Sequence, residues 1–202
     1  MQTIKKEENG LMTNDLVFAK VKPNAIIPTK EEENAGYDIY ACFEEDFIVI
    51  PPHSTKLIPT GIAAAVSDKY YLQVHERGST GSKGMKYGAG VVDSSYRGEI
   101  FICINNVNIN EIVISKITEE ELIEKYATDY FGEKVIEYGS GEFDHIFLED
   151  KDYYPIIYPY SKAIAQLVVH EVPKMNVKEI SYEELKAIPS KRGTGALGSS
   201  GK

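Results

Sequence analysis

Apolar and polar positions alternate in short runs along this chain, with turn formers between them. "YYLQVHER" (Tyr70–Arg77) alternates throughout, and "LVFAKVK" (Leu16–Lys22), "GEIFICINNV" (Gly98–Val107) and "AIAQLVVHEV" (Ala163–Val172) read as further strands. "TKLIPTGIAAAV" (Thr55–Val66) is strand-like but broken near Pro59 and Gly61. A period of two turns one face of each run toward a core. Many short strands with frequent turn signals predict an all-β sandwich or barrel. Helical patterning is confined to two places. "TEEELIEKYATDY" opens on Thr118 with Glu121 three residues on, a capping-box pattern, and Leu122, Tyr126 and Tyr130 follow at one-turn spacing. "SYEELKAI" repeats the device with Ser181 and Glu184, and Pro189 ends it.

Composition narrows the picture. A chain of 202 residues with 43% hydrophobic content holds one domain with a core and room for an insertion. A net charge of −9 and a pI near 5.0 argue against gripping a nucleic-acid backbone. Cys42 and Cys103 lie far apart in apolar surroundings, so they read as buried thiols of an intracellular, cytoplasmic protein, without a disulfide framework or zinc-ligand spacing. The N-terminus lacks a long apolar run, so neither a signal peptide nor a membrane span is expected.

The acidity is local. Asn105 to Tyr160 holds 13 acidic and 4 basic residues, which accounts for the whole net charge, and 7 of the 14 tyrosines. Residues 108–160 read as an acidic, tyrosine-rich insert. Such a segment is either a solvated surface with aromatic anchors or a docking surface for a regulatory protein partner.

Four stretches carry candidate chemistry. In "AGYDIYA" (Ala35–Ala41), a strand puts Tyr37, Ile39 and Ala41 on one face and Gly36, Asp38 and Tyr40 on the other. Asp38 is either a structural turn residue or an oxygen donor to a hydrated Mg²⁺. In "ERGSTGSKG" (Glu76–Gly84), Arg77 offers two parallel hydrogen bonds to a phosphate, and Gly78 and Ser79 let backbone N–H groups and a hydroxyl approach it. The plainer reading is a hairpin turn, and the spacing of a Walker loop is absent. In "GAGVVDSSYRGEI" (Gly88–Ile100), glycines allow a ligand onto backbone at a hairpin. There Asp93 at the tip suits orientation and deprotonation of a water, and Tyr96 suits packing on a ring. The chain ends in "RGTGALGSSGK" (Arg192–Lys202), which is either a plain Gly/Ser tail or a basic, glycine-rich phosphate cradle.

Together with "AIAQLVV", these stretches resemble, in order, the five motifs of the trimeric deoxyuridine triphosphatase (dUTPase) family. The resemblance covers about residues 16–107 and 161–202. It implies an all-β jelly roll (β-clip) assembled as a homotrimer with shared active sites, a tail over 1–15, and a C-terminal arm over 190–202 that closes on nucleotide bound at a neighbour. It implies hydrolysis of dUTP to dUMP and pyrophosphate with Mg²⁺ as cofactor, limiting uracil in DNA and supplying dUMP.

By that resemblance, Asp93 activates the water that attacks the α-phosphorus. Gln166 contacts the phosphates or a nearby water, or else serves only as a strand residue bonded to backbone. Gly90 and Val91 present backbone to uracil, and Tyr96 packs on deoxyribose. Arg77, Gly78, Ser79, Arg192 and Ser199 meet the triphosphate. Leu197 and Gly198 belong to the closing arm, with Leu197 where the family has an aromatic over uracil. Asp38 orients Mg²⁺ through water. The chain departs from the family at Gly78, where a serine is usual. It departs again at Ser161–Ala163, where glycine, an acid and a basic residue are usual.

Two other readings compete with this one. A deoxycytidine triphosphate deaminase shares the implied fold but needs a glutamate in the strand after the third motif, and "IFICINN" has no acid. Zinc deamination lacks its H-x-E and P-C-x-x-C elements. The second alternative is a nucleotide-binding regulatory protein that docks a partner through the insert, with weak or no hydrolysis.

Overall fold

The computed structural model describes residues 14–122 and 155–194, together with the backbone of 135–136 and 145–146. The main unit ends at Val172. In chain order its strands are β1 (Leu16–Lys20), β2 (Gly36–Ile39), β3 (Phe47–Ile50), β4 (Thr55–Pro59), β5 (Ile62–Val66), β6 (Tyr70–His75), β7 (Met85–Gly88), β8 (Val91–Val92), β9 (Phe101–Asn106), β10 (Ile112–Ser115), β11 (Val135–Ile136), β12 (His145–Ile146), β13 (Ile156–Pro159) and β14 (Ala165–Glu171). A single helical turn, α1 (Gly78–Gly81), follows β6.

Alternation sorts the faces as expected. In β9, Ile102 and Ile104 are buried while Phe101 and Cys103 face outward. Cys103 is therefore half-buried, not the buried thiol expected from its apolar neighbours, because it falls on the outward phase of the strand. Cys42 is fully buried, and burial raises its thiol pKa. The break at Pro59 and Gly61 separates β4 from β5. Gly61 has φ +65°, and a Cβ there would lie 2.8 Å from that of Ala25, so the corner needs glycine.

The strands form sheets ordered β1-β5, β2-β14-β6-β8, β4-β9-β7 and β13-β10-β3, with β11 and β12 paired to each other. All of these pairings are antiparallel except β10 with β13, which run parallel. Isoleucines dominate the core: Ile39, Ile50, Ile58, Ile62, Ile102 and Ile104 are completely buried. Each contributes about 1.5–3 kcal/mol relative to exposure.

Three expectations change. The expected insert at 108–160 does not begin and end at a structural break. β10 and β13 fall inside it, yet Ile112, Val113, Ile114 and Tyr158 are buried in the main unit. A continuous apolar run such as "EIVIS" hides a strand covered on both faces, because it shows no alternation. Second, Gly88–Gly90 is not a hairpin. β7 pairs with β9 and β8 with β6, so the chain switches sheets there, with Ala89 in the left-handed region at φ +46°. Third, the stretch after Arg77 is a helical turn, not a hairpin. Thr80, fully buried, closes it by accepting the Arg77 N–H at 3.0 Å.

The capping box at Thr118 forms, with Glu121 N–H donating to Thr118 Oγ1 at 3.2 Å and Thr118 N–H to the Glu121 carboxylate at 2.8 Å. Leu122 packs with Phe47, Val49 and Val113. Tyr126 and Tyr130, the partner surface assigned to the acidic segment, and residues 1–13 lie outside the described residues. Among the described residues, no helix is long and apolar enough to cross a membrane.

The second unit, from Pro173, is described to residue 194. Its helix α2 (Tyr182–Ala187) is capped as expected. Ser181 Oγ accepts the Glu184 N–H at 3.2 Å, and the Glu184 carboxylate accepts the Ser181 N–H at 2.8 Å. The Ser181 hydroxyl, which donates to the same carboxylate at 2.7 Å, and then the Ser181 N–H hold the Glu184 pKa below its ordinary value. Arg192 belongs to this unit. Leu197, Gly198 and Ser199 lie outside the described residues.

Candidate active site

The register of β2, β14 and β6 assembles a polar cleft. Gln166 sits opposite Asp38 on one side and His75 on the other. Period-two alternation puts these side chains on the face opposite the core, where Ile39 and Leu167 point inward. The cleft has a volume of about 400 Å³ and is lined by Asn34, Ala35, Gly36, Asp38, Arg77, Gly78, Ser79 and Gln166. Five of the predicted site residues thus converge from three separate sequence stretches.

Arg77 spans this cleft. Its Nε and Nη2 donate to the two oxygens of Asp38 at 2.8 and 3.0 Å. Its Nη1 donates to Ser79 Oγ at 3.3 Å and to the Ala163 carbonyl at 3.4 Å. Burial works against the guanidinium charge. The hydrogen bonds and charge of Asp38 outweigh it, so the pKa is raised above its ordinary value. Gln166 Nε2 donates to the Glu76 carbonyl at 2.7 Å, the backbone-bonded role allowed for it, while its side chain still lines the cleft. A Cβ on Gly36 would meet Gln166 Oε1 at 2.3 Å, so glycine at 36 leaves room for the amide.

A second cleft, of about 270 Å³, lies on β8, β9 and β4 and includes Leu57, Val91, Asp93, Tyr96, Glu99 and Cys103. Asp93 is exposed and opens a turn that Tyr96 closes by donating its N–H to the Asp93 carbonyl at 3.0 Å. The Tyr96 hydroxyl donates to the Glu99 carbonyl at 3.0 Å, and the ring lies over Gly98. Gly90 faces the other way: its carbonyl accepts the Val74 N–H at 2.8 Å, and a Cβ would meet Gln73 Nε2 at 2.5 Å. The two clefts share no lining residue.

Sequence reasoning missed Asn34, Leu57, Glu99 and Cys103 as lining residues. Asn34 adjoins the stretch Ala35–Ala41 and Glu99 lies within Gly88–Ile100, so contiguity was the available signal. Leu57 and Cys103 meet only through the β4–β9 register.

Among the described residues, no group of three or more His, Cys, Asp or Glu side chains could cage a metal. Asp38 nevertheless fits a hydrated Mg²⁺. Its carboxylate is about one-third exposed in an open polar cleft and keeps lone pairs beyond those used by Arg77. Mg²⁺ retains water and takes phosphate oxygens, so one outer carboxylate suffices.

The chain resembles known proteins throughout its length. A deoxyuridine 5′-triphosphate nucleotidohydrolase of Debaryomyces hansenii is 30% identical over 203 residues, covering 100% of this chain and 96% of the relative. Among solved structures, the dUTPase of Staphylococcus bacteriophage 80alpha with dUpNHpp has a TM-score of 0.62 at 21% identity, covering 94% of this chain and 100% of that one. A mutant dUTPase from phage phi11 of S. aureus, in which a structural Mg(II) ion is coordinated, has a TM-score of 0.56 at 20% identity, covering 84% of this chain and 99% of that one. These likenesses identify the fold as the dUTPase-type β jelly roll. The dUTPase family model matches residues 22–118, running past the start of β10. On the Debaryomyces relative and this match, the chain belongs to the dUTPase family.

Proposed function

We propose that the two clefts are the phosphate half and the nucleoside half of one dUTP site, joined when copies of the chain assemble as a homotrimer. The enzyme is a dUTP nucleotidohydrolase. The observation that carries the finer reading is the separation of the clefts. Arg77 and Ser79 line one and Asp93 and Tyr96 the other, without a shared residue. A single chain thus holds its phosphate grip apart from its base, and a second copy supplies the missing half.

In this reading Arg77, Ser79 and the backbone at Gly78 bind the triphosphate. Gly90 and Val91 present backbone to uracil, and Tyr96 packs on deoxyribose. Arg192, Leu197, Gly198 and Ser199 are assigned to substrate from their motif. The exposed carboxylate of Asp93 accepts a hydrogen bond from a water and takes its proton as the water oxygen bonds to the α-phosphorus. The bond from that phosphorus to the bridging oxygen breaks, pyrophosphate leaves, and Asp93 returns the proton to solvent. Asp38 and the phosphates would hold Mg²⁺ through water, and the cation supplies charge neutralisation for the leaving pyrophosphate. Gln166, bonded to Glu76, orients a phosphate or a water within the cleft.

The test pairs activity with assembly. Release of dUMP and pyrophosphate is measured from dUTP, dCTP, dTTP and UTP, and the mass in solution by sedimentation. Cleavage of dUTP alone by a trimer supports the reading. An active monomer sinks the shared site, and a trimer that binds but does not cleave dUTP sinks the role of Asp93.

A further inference from the structure

Among side chains outside the two clefts, Tyr158 stands out. It lies on β13, only 1% exposed, with its ring in the main core. Its hydroxyl donates to the Ala163 carbonyl at 2.7 Å. That carbonyl is the one that Arg77 Nη1 reaches at 3.4 Å. The hydroxyl also sits beside the guanidinium.

We propose that Tyr158 is a positioning residue for catalysis, holding Arg77 in its triphosphate-binding orientation through the shared Ala163 carbonyl. The proposal rests on the reading that Arg77 grips the triphosphate.

The geometry explains why the hydroxyl matters beyond satisfying itself. Asp38 fixes one edge of the guanidinium with two hydrogen bonds. A guanidinium held on one edge still pivots about the carboxylate. The opposite edge is limited by the Ala163 carbonyl, whose place depends on the turn before β14. Lys162 N–H closes that turn onto the Pro159 carbonyl at 3.0 Å. Two hydroxyls then pin consecutive carbonyls beyond it: Tyr158 takes Ala163, and Tyr87 takes Ile164. Among the described residues, loss of the Tyr158 hydroxyl leaves the Ala163 carbonyl with the long Arg77 bond as its side-chain contact. Arg77 then loses the far stop of its swing.

A double-mutant cycle tests this. Tyr158→Phe, Arg77→Ala and the double variant are assayed for kcat/KM with dUTP and for inhibition by dUMP and by dUpNHpp. Tyr158→Phe is expected to lose about three- to tenfold in kcat/KM and in dUpNHpp affinity, the scale of one neutral hydrogen bond. Inhibition by dUMP, which lacks the two outer phosphates, stays within about twofold. On the Arg77→Ala background the same change costs nothing further, because the residue it acts through is gone. Tyr87→Phe, which removes a hydroxyl from the neighbouring carbonyl, lowers the melting temperature without the triphosphate-selective loss. Tyr158→Leu provides an independent chain without the hydroxyl should the phenylalanine variant fold poorly.

Equal weakening of dUMP and dUpNHpp makes Tyr158 merely structural and overturns the proposal. So does a Tyr158→Phe loss that persists undiminished on Arg77→Ala. If Arg77→Ala alone turns over dUTP at the wild-type rate, the reading of Arg77 fails first, and the proposal falls with it.

Discussion

Arg77 and Asp38, separated by 39 residues in sequence, are locked face to face by hydrogen bonds of 2.8 and 3.0 Å. The pair is about one-third exposed, so water screens it and its contribution to stability is about 1 kcal/mol or less. Its larger effect is on orientation. Asp38→Ala is expected to melt within a few degrees of wild type while dUTP turnover falls roughly tenfold or more, because a bidentate clamp fixes the guanidinium plane. Thermal unfolding and steady-state kinetics on one preparation separate the two effects.

Asp93 is exposed at the start of its turn. Asp93→Asn keeps the shape and removes the base. The expected fall in kcat is about 10²–10⁴-fold, with dUpNHpp binding within a fewfold of wild type. Loss of binding together with turnover would instead mean that the carboxylate holds the turn.

Gly98 is the floor beneath Tyr96. A Cβ there would lie 2.4 Å from the Tyr96 hydroxyl oxygen, so Gly98→Ala must push the ring away from the Glu99 carbonyl. Discrimination between dUTP and UTP is expected to weaken by about tenfold, on the scale of one lost ring contact, while rejection of dCTP is unchanged. The ratio of kcat/KM values for the three nucleotides reads this directly.

Gly78 is the reverse case. An added Cβ meets nothing within 4 Å, and the residue begins a helical turn. Gly78→Ser should fold with equal or slightly greater stability, by about 0.5 kcal/mol. It adds a hydroxyl beside Ser79, and KM for dUTP is expected to drop severalfold.

Local signals carried far along this chain, and their limits are visible at particular residues. The break at Pro59 and Gly61, the caps at Thr118 and Ser181, and the outward phase of Asp38 and Gln166 all follow from neighbours within a few positions. The Asp38–Arg77 pair does not, since each residue alone is an ordinary charged side chain and only the sheet register brings them together. β10 escaped because a strand buried on both faces loses its alternation, and β13 because its four residues are too few to show a period. For the same reason Tyr158 was counted as one more tyrosine of an acidic segment, although its ring lies in the core. Cys103 was read from the hydrophobicity of its neighbours when its phase in β9 decided its exposure.

The cap on α2 makes a pH prediction. The Glu184 carboxyl is held below its ordinary pKa by Ser181, so the charged form favours the helix. That support is complete above the ordinary carboxylate range and is lost as pH falls through the lowered value. Carboxyl titration followed by NMR should show Glu184 with a low midpoint, and Ser181→Ala should move it up toward the ordinary value, part of the shift staying with the backbone N–H of residue 181, and fray residues 182–187. An unchanged midpoint in that variant would remove the cap as the cause.

The parallel pairing of β10 with β13 has a consequence for how this chain can vary. Ile112 lies opposite Ile156 and Ser115 opposite Pro159, so the link from Ser115 must travel back along the strand before β13 can begin. No two-residue turn can make that return, because a tight turn reverses direction and parallel strands need a crossover. The link therefore has a floor on its length, while each doubling of the number of residues that close it adds only about 0.6 kcal/mol of closure entropy. New sequence can be grafted there at small cost to the sheet, and over many generations this crossover is where the protein is free to acquire additional function.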